Sequence, residues 1–165
     1  MHRDYSTSQD FHNSLGRFYQ VWIAAEFSID LAIGKFLKIS DEQAQQLTAT
    51  MEFGRKVVFL KALISKSGHK RKDTLNKALN AILNDSKRNI FAHSFLMSTP
   101  TSIHFVERSP HGGFTVKVHD FTPATFEQHV SDFVQHAKDF EIALGYSRDV
   151  FEAFGQAALN FKSKS

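Results

Sequence analysis

The stretch FHNSLGRFYQVWIAAEFSIDLAIGKF, residues 11 to 36, decides the fold. Its apolar residues Phe11, Leu15, Phe18, Trp22, Ala25, Ile29, Ala32 and Phe36 recur at alternating spacings of four and three. At ~3.6 residues per turn that rhythm puts them all on one face, so the segment reads as a long helix with a narrow seam for helix-on-helix packing. Gln20, Glu26, Asp30 and Lys35 interrupt its most apolar part. A membrane-spanning helix needs ~20 nearly uncharged residues, so no span is expected here.

Outward from this helix the pattern stays helical. Ser40 opens SDEQ, a Ser-x-x-Gln capping box that starts a short polar helix over Asp41 to Thr50. MEFGRKVVFLKALISKSG follows as a third helix, with Phe53, Val57, Leu60 and Ile64 on one side and Gly68 as its stop. The next helix starts near Asp73 or Thr74 and carries Leu75, Leu79 and Ile82 inward. Two runs rich in β-branched and aromatic residues, Ser102 to Arg108 and Phe114 to His119, flank a Pro-His-Gly-Gly turn and predict a β-hairpin. Thr122 and Pro123 then restart a helix as N-cap and first helical residue. Its stripe of Phe126, Val130, Phe133, Ala137 and Phe140 continues past Gly145 to Phe151, Phe154, Ala158 and Phe161, as one bent helix or two in tandem.

The 165 residues are expected to form a single, mainly all-α domain: a bundle of four to five helices with the hairpin inserted before the last helical segment. Flexible ends are expected at about residues 1–9 and 162–165. A charged fraction of 22% argues against disorder, and the absence of cysteine excludes disulfides and thiolate zinc sites. Net charge is only +3, which fits an anionic partner without requiring one. The first fifteen residues lack the charged start and apolar run of a signal peptide, so a cytoplasmic location is expected.

One stretch breaks the apolar logic. Extending the stripe Leu75, Leu79, Ile82 leads to Ser86, Asn89 and His93 in SKRNIFAHSF, so polar groups are predicted on an inward face. Such groups cost stability unless hydrogen-bonded, and therefore need partners or a purpose. Arg88 lies five residues before His93, roughly 140° away around an ideal helix. One helix does not aim both side chains at a point, whereas two copies related by a two-fold axis could bring them together. The bland alternative makes Arg88 a solvated cation near a helix end and His93 a half-buried polar residue.

RNIFAH resembles the R-x-x-x-x-H signature of the HEPN superfamily, whose arginine is often followed by Asn, Asp or His. The order of a long first helix, a second helical segment, the motif helix and a closing long helix is similar too, and MEFGRKVVFLKALI resembles the helix preceding the motif in several HEPN groups. The resemblance implies a metal-independent endoribonuclease that needs no cofactor and acts as a homodimer, with two motifs lining one cleft. It also implies frequent service as a toxin or phage-defence component with an antitoxin or defence partner. By position, Arg88 would bind the scissile phosphate, His93 would be general base or acid for attack by the ribose 2′-OH, and Asn89 would orient one of them. Imidazole titrates near neutrality and guanidinium pairs bidentately with phosphate, as those roles require. In one HEPN toxin group a tyrosine two places after the histidine is modified with AMP; here that place is Phe95, which has no hydroxyl to modify. A non-catalytic HEPN domain that binds a nucleotide, RNA or a partner protein is the alternative, and an accidental match in a helical interaction module is a third.

Three further groups deserve a place in the argument. Glu26 and Asp30, four apart on the first helix, either support Arg88 or pair with lysines. The basic loop with Lys66, His69, Lys70, Arg71 and Lys72 either contacts an RNA backbone or is simply solvated. His129 and His136 are ~10 Å apart along a helix, too far to share one metal ion, and His104 and His119, which could face each other on the hairpin, have no further ligands beside them. No metal site is therefore expected.

Overall fold

The computed structural model describes residues 9–99, 101–109 and 115–160. The Pro-His-Gly-Gly turn, Phe161 and the C-terminal tail lie outside them, as do all but Gln9 of the expected N-terminal flexible end. Among the described residues the element order is α1 (Gln9–Leu37), α2 (Asp41–Thr48), α3 (Phe53–Lys66), α4 (Lys72–Asp85), α5 (Arg88–His93), β1 (Phe95–Ser98), β2 (Ile103–Ser109), β3 (Thr115–Phe121), α6 (Pro123–Leu144) and α7 (Arg148–Leu159). The protein is mainly helical with one small antiparallel sheet of strand order β1-β2-β3.

α1 is the axis of the molecule. Phe18, Trp22, Ala25, Ile29 and Ala32 of its seam are buried, while Leu15 and Phe36 near its ends are half-buried. It packs against α2, α3, α6 and α7, and α4 closes the layer by packing on both α3 and α6. Local chemistry places the ends as the residues suggest. Ser40 and Gln43 complete a capping box on α2, Thr122 and Thr125 complete one on α6, and Pro123 sits in the first turn. Gly145 ends α6 in the left-handed region at φ 70°, which divides the last helical pattern into two helices rather than one bent one. Phe154 of α7 is buried and Phe151 half-buried, but Ala158 is exposed.

Among the described residues the strands are three, not two. The expected hairpin is present as β2 and β3, paired Ile103 to Phe121 through Ser109 to Thr115. β1, directly after α5, adds to it with Phe95 opposite Val106 and Ser98 opposite Ile103. FLMS is too short for a clear alternating signal, so its strand state is set by the neighbouring β2. The inner face of the sheet sends Ile103 and Phe105 into the core. There Phe11, Phe18, Phe91, Phe105, Phe121 and Phe126 form one aromatic cluster, with neighbouring ring centroids 4.7 to 6.5 Å apart.

Gly34 marks the closest helix approach. A Cβ added there would lie 2.5 Å from the Cβ of Ala44 on α2, and both residues are buried. Gly34→Ala is expected to lower stability by about 1–3 kcal/mol, the range for overpacking, as an earlier urea-unfolding midpoint. An unchanged midpoint would contradict this packing.

Candidate functional site

The motif occupies a helix of its own. α4 stops at Asp85, Ser86 stays near helical geometry, and Lys87 turns into the left-handed region at φ 43°. The predicted inward stripe Ser86, Asn89, His93 is therefore corrected: Ser86 is buried, but Asn89 and His93 are exposed. The turn at Lys87 resets the helical phase so that Phe91 points inward instead, against Phe18, Phe105 and Phe126. The energetics favour the break. A left-handed non-glycine residue costs ~1–2 kcal/mol. Burying a phenylalanine returns about 1.5–3 kcal/mol, and the two polar side chains escape desolvation.

Arg88 leaves this short helix toward α1. Its guanidinium lies 4.7 Å from the ring centroid of Trp22, a cation–π contact over an indole that is only 8% exposed. Its Nη1 makes a long hydrogen bond of 3.4 Å to Oδ1 of Asn89, so Asn89 sits where it can steady the arginine. Tyr19 lies close enough to feel the same charge: burial raises its phenol above the ordinary value, and Arg88 opposes the rise. Trp22, Arg88 and Asn89 border an open groove of about 830 Å³, lined also by Glu26, Glu52, Phe53, Ser86 and Lys87, among others. The groove thus offers two cations, Lys87 and Arg88, the Asn89 amide and aromatic walls, with Glu26 and Glu52 also on its lining; the guanidinium beside the amide is the part suited to a phosphate-bearing ligand.

His93 does not line that groove. It ends α5, is exposed, and makes no hydrogen bond or ion pair among the described residues. Five residues of helix separate it from Arg88 by ~7.5 Å of rise and roughly 140° of rotation, so the two side chains diverge within one chain.

Glu26 and Asp30 are brought together around a lysine that the sequence reading passed over. Lys56 of α3 is 4% exposed, and its Nζ donates to Glu26 Oε1 at 2.7 Å and Asp30 Oδ2 at 3.0 Å. Glu26 shares the groove lining with Arg88, but its hydrogen-bond partner is Lys56, so the lysine-pairing alternative describes it. Burial alone would push the Lys56 ammonium down. The hydrogen bonds it donates to Glu26 and Asp30, with their negative charges, outweigh burial and hold the group above the ordinary lysine value. Burial pushes the Asp30 carboxyl up, opposed by Lys56 and reinforced by Glu26. The legible sign was a lysine at the α3 position between Phe53 and Leu60, on the stripe that faces an i, i+4 acidic pair.

The basic residues fall elsewhere. Lys66 ends α3 and Lys72 begins α4, with Lys70 and Arg71 exposed between them. Arg71 Nη1 donates to the carbonyl of Ile142 at 2.6 Å, tying the loop to α6. α4 runs between this loop and the motif, which places them ~20 Å apart at opposite ends of that helix. His104 and His119 do not face each other, because the register sends them to opposite sides of the sheet. His104 pairs with Asp120 at 2.6 Å and His119 with Glu107 at 3.1 Å. Among the described residues no group of three or more His, Asp or Glu is placed to hold a metal ion.

Lys56→Met is expected to cost about 3 kcal/mol, at the low end for a broken buried pair because both carboxylates still reach solvent. The sign with pH follows from the raised Lys56 value. The ammonium's contribution is complete below the ordinary lysine value of 10.5 and is lost as pH rises through the higher folded value. Urea unfolding of the wild type should therefore approach that of Lys56→Met in strong alkali, and a gap that stays constant with pH would contradict the assignment.

Comparison with models of known protein families, with curated proteins and with solved structures finds no match, so the site rests on the residues and geometry just described.

Proposed function

We propose that the protein is a HEPN-type endoribonuclease acting as a homodimer through Arg88 and His93. The observation that carries the proposal is the segregation of RNIFAH on a separate six-residue helix, with its arginine in a groove and its histidine exposed and unengaged. Arg88 and Asn89 would hold the scissile phosphate. His93, supplied by the second copy because the two directions diverge within one chain, would take the proton of the ribose 2′-OH. The 2′-oxygen attacks phosphorus, the bond to the 5′-oxygen breaks, and that oxygen leaves with a proton. The products are a 2′,3′-cyclic phosphate and a 5′-hydroxyl end. Arg88 carries the charge that accumulates on the phosphate oxygens, which a planar guanidinium does better than an ammonium. Dependence on the 2′-OH makes the substrate RNA rather than DNA. Such an enzyme would serve as a toxin or defence component, as the resemblance implies, and would be regulated by means other than modification at Phe95.

A second reading, a non-catalytic domain that binds RNA or a nucleotide, is favoured by one observation: Arg88 has a groove and His93 is not part of it.

Purified protein is expected to cleave RNA in the presence of EDTA and to leave cyclic phosphate ends. His93→Ala should remain folded by circular dichroism and lose about 10²–10⁴-fold in rate, the usual worth of a general acid or base. Arg88→Lys should also be impaired, since it keeps the charge but not the fork. Cleavage that survives His93→Ala would sink the catalytic assignment. RNA binding that requires Arg88 without any cleavage would establish the second reading.

A further inference from the structure

The sheet has an apolar face turned away from the core. β3 reads Thr-Val-Lys-Val-His-Asp-Phe, and its register with β2 puts Phe121, His119 and Lys117 on the inner side. Val116, Val118 and Asp120 point outward. A strand packed over a core by one face normally keeps its valines inside and its lysine outside. β3 does the reverse, with only Phe121 anchoring it to the core cluster. The strands beside it contribute to the same outward face. Phe95, Val106 and Val118 form one cross-strand row, and Met97 stands beside it. Phe95, Met97, Val116 and Val118 are between 49% and 58% exposed. Apolar residues contiguous across three strands are a patch of the kind that marks a protein interface.

The charges on this face say what covers it. Two residues from Val106 along β2 in one direction stands Arg108, and two residues in the other stands His104, paired with Asp120 at 2.6 Å. The face is thus positive at one end, apolar in the middle and acidic at the other. A two-fold axis lying along the Phe95–Val106–Val118 row exchanges the two ends. Stacked that way, the valine row of one copy meets the same row of another, and each Arg108 lies over the other copy's His104, with that histidine's partner Asp120 one strand spacing, ~4.8 Å, to the side. Sheets stacked face to face sit ~10 Å apart, within reach of arginine and aspartate side chains that extend toward each other. A surface that complements itself under a two-fold is the requirement for an isologous dimer.

We infer that the outer face of β1-β2-β3, centred on Phe95, Val106 and Val118 and flanked by Arg108 and Asp120, is a homodimer interface. His93, two residues before Phe95, then lies at its rim. The proposed function already calls for two copies; the inference adds the surface at which they meet, and it is argued from the face's register and charges and not from the chemistry of Arg88 and His93.

Sedimentation equilibrium of the full chain tests it at roughly 50 µM, where a micromolar interface is saturated. The expected mass is twice the 18.7 kDa of one chain. Val118→Glu should give a folded monomer. Arg108→Asp and Asp120→Arg should each raise the dimer dissociation constant by about tenfold or more, whereas the two together should restore it. A monomeric wild type, or a dimer indifferent to Val118→Glu, overturns the inference. Should Val118→Glu fail to fold, the charge exchange decides: no rescue by the double variant also overturns it. Loss of RNA cleavage with the dimer intact would count against the nuclease proposal alone.

Discussion

The burial of Phe91 among Phe18, Phe105 and Phe126 is the constraint on which the site depends. Aromatic pairs in edge-on and tilted contact gain beyond the area they bury, and Phe91 has several such partners. To reach them the chain must leave the phase of α4, and it does so at Lys87, in a left-handed conformation that a lysine adopts only at a cost. Once Phe91 is fixed inward, the rest of RNIFAH follows. Arg88, three residues earlier, comes to lie over Trp22 of α1, and His93, two residues later, is turned outward. The same anchoring sets the start of β1 and hence brings a third strand onto the hairpin.

The Lys56 cluster does a different task nearby. It joins α1 to α3 beneath the groove, and the balance of its charges is local: two carboxylates around one ammonium. One ammonium does not balance two carboxylates, but Glu26 spends its hydrogen bond on Lys56 and none on Arg88. The cation–π contact with Trp22 holds the guanidinium in place without consuming its hydrogen-bond donors, apart from the long bond to Asn89. An arginine arranged this way keeps most of its donors available to an anionic group entering the groove.

The helical core was legible because its signal is redundant. Eight seam positions on α1, the Ser40 capping box and the Thr122–Pro123 start all agree, and each is a local rule that tertiary packing had no reason to override. The motif region was not, since its outcome turns on one residue. A straight continuation of α4 and a break at Lys87 differ by a single left-handed dihedral pair, and Lys carries no preference announcing it. What could have told them apart is Phe91: continuing the helix would leave a phenylalanine outside and two polar residues inside. β1 escaped notice because four residues cannot show a period, and Lys56 because a lysine within an apolar stripe reads as a flaw until its acidic partners are placed opposite. The separation of the basic loop from Arg88 follows from the length of α4 between them, so the helical pattern along the chain already implied it.

The most direct test of the site uses the single tryptophan of the chain. Trp22 lies beneath Arg88 and gives one indole resonance in a proton–nitrogen correlation spectrum. Titration with an oligonucleotide carrying 2′-O-methyl groups, which cannot be cleaved through the 2′-oxygen, should shift that resonance in the wild type and leave it unmoved in Arg88→Ala. An oligonucleotide that binds without disturbing Trp22, or that disturbs it equally when Arg88 is absent, would contradict the assignment of this groove as the RNA site.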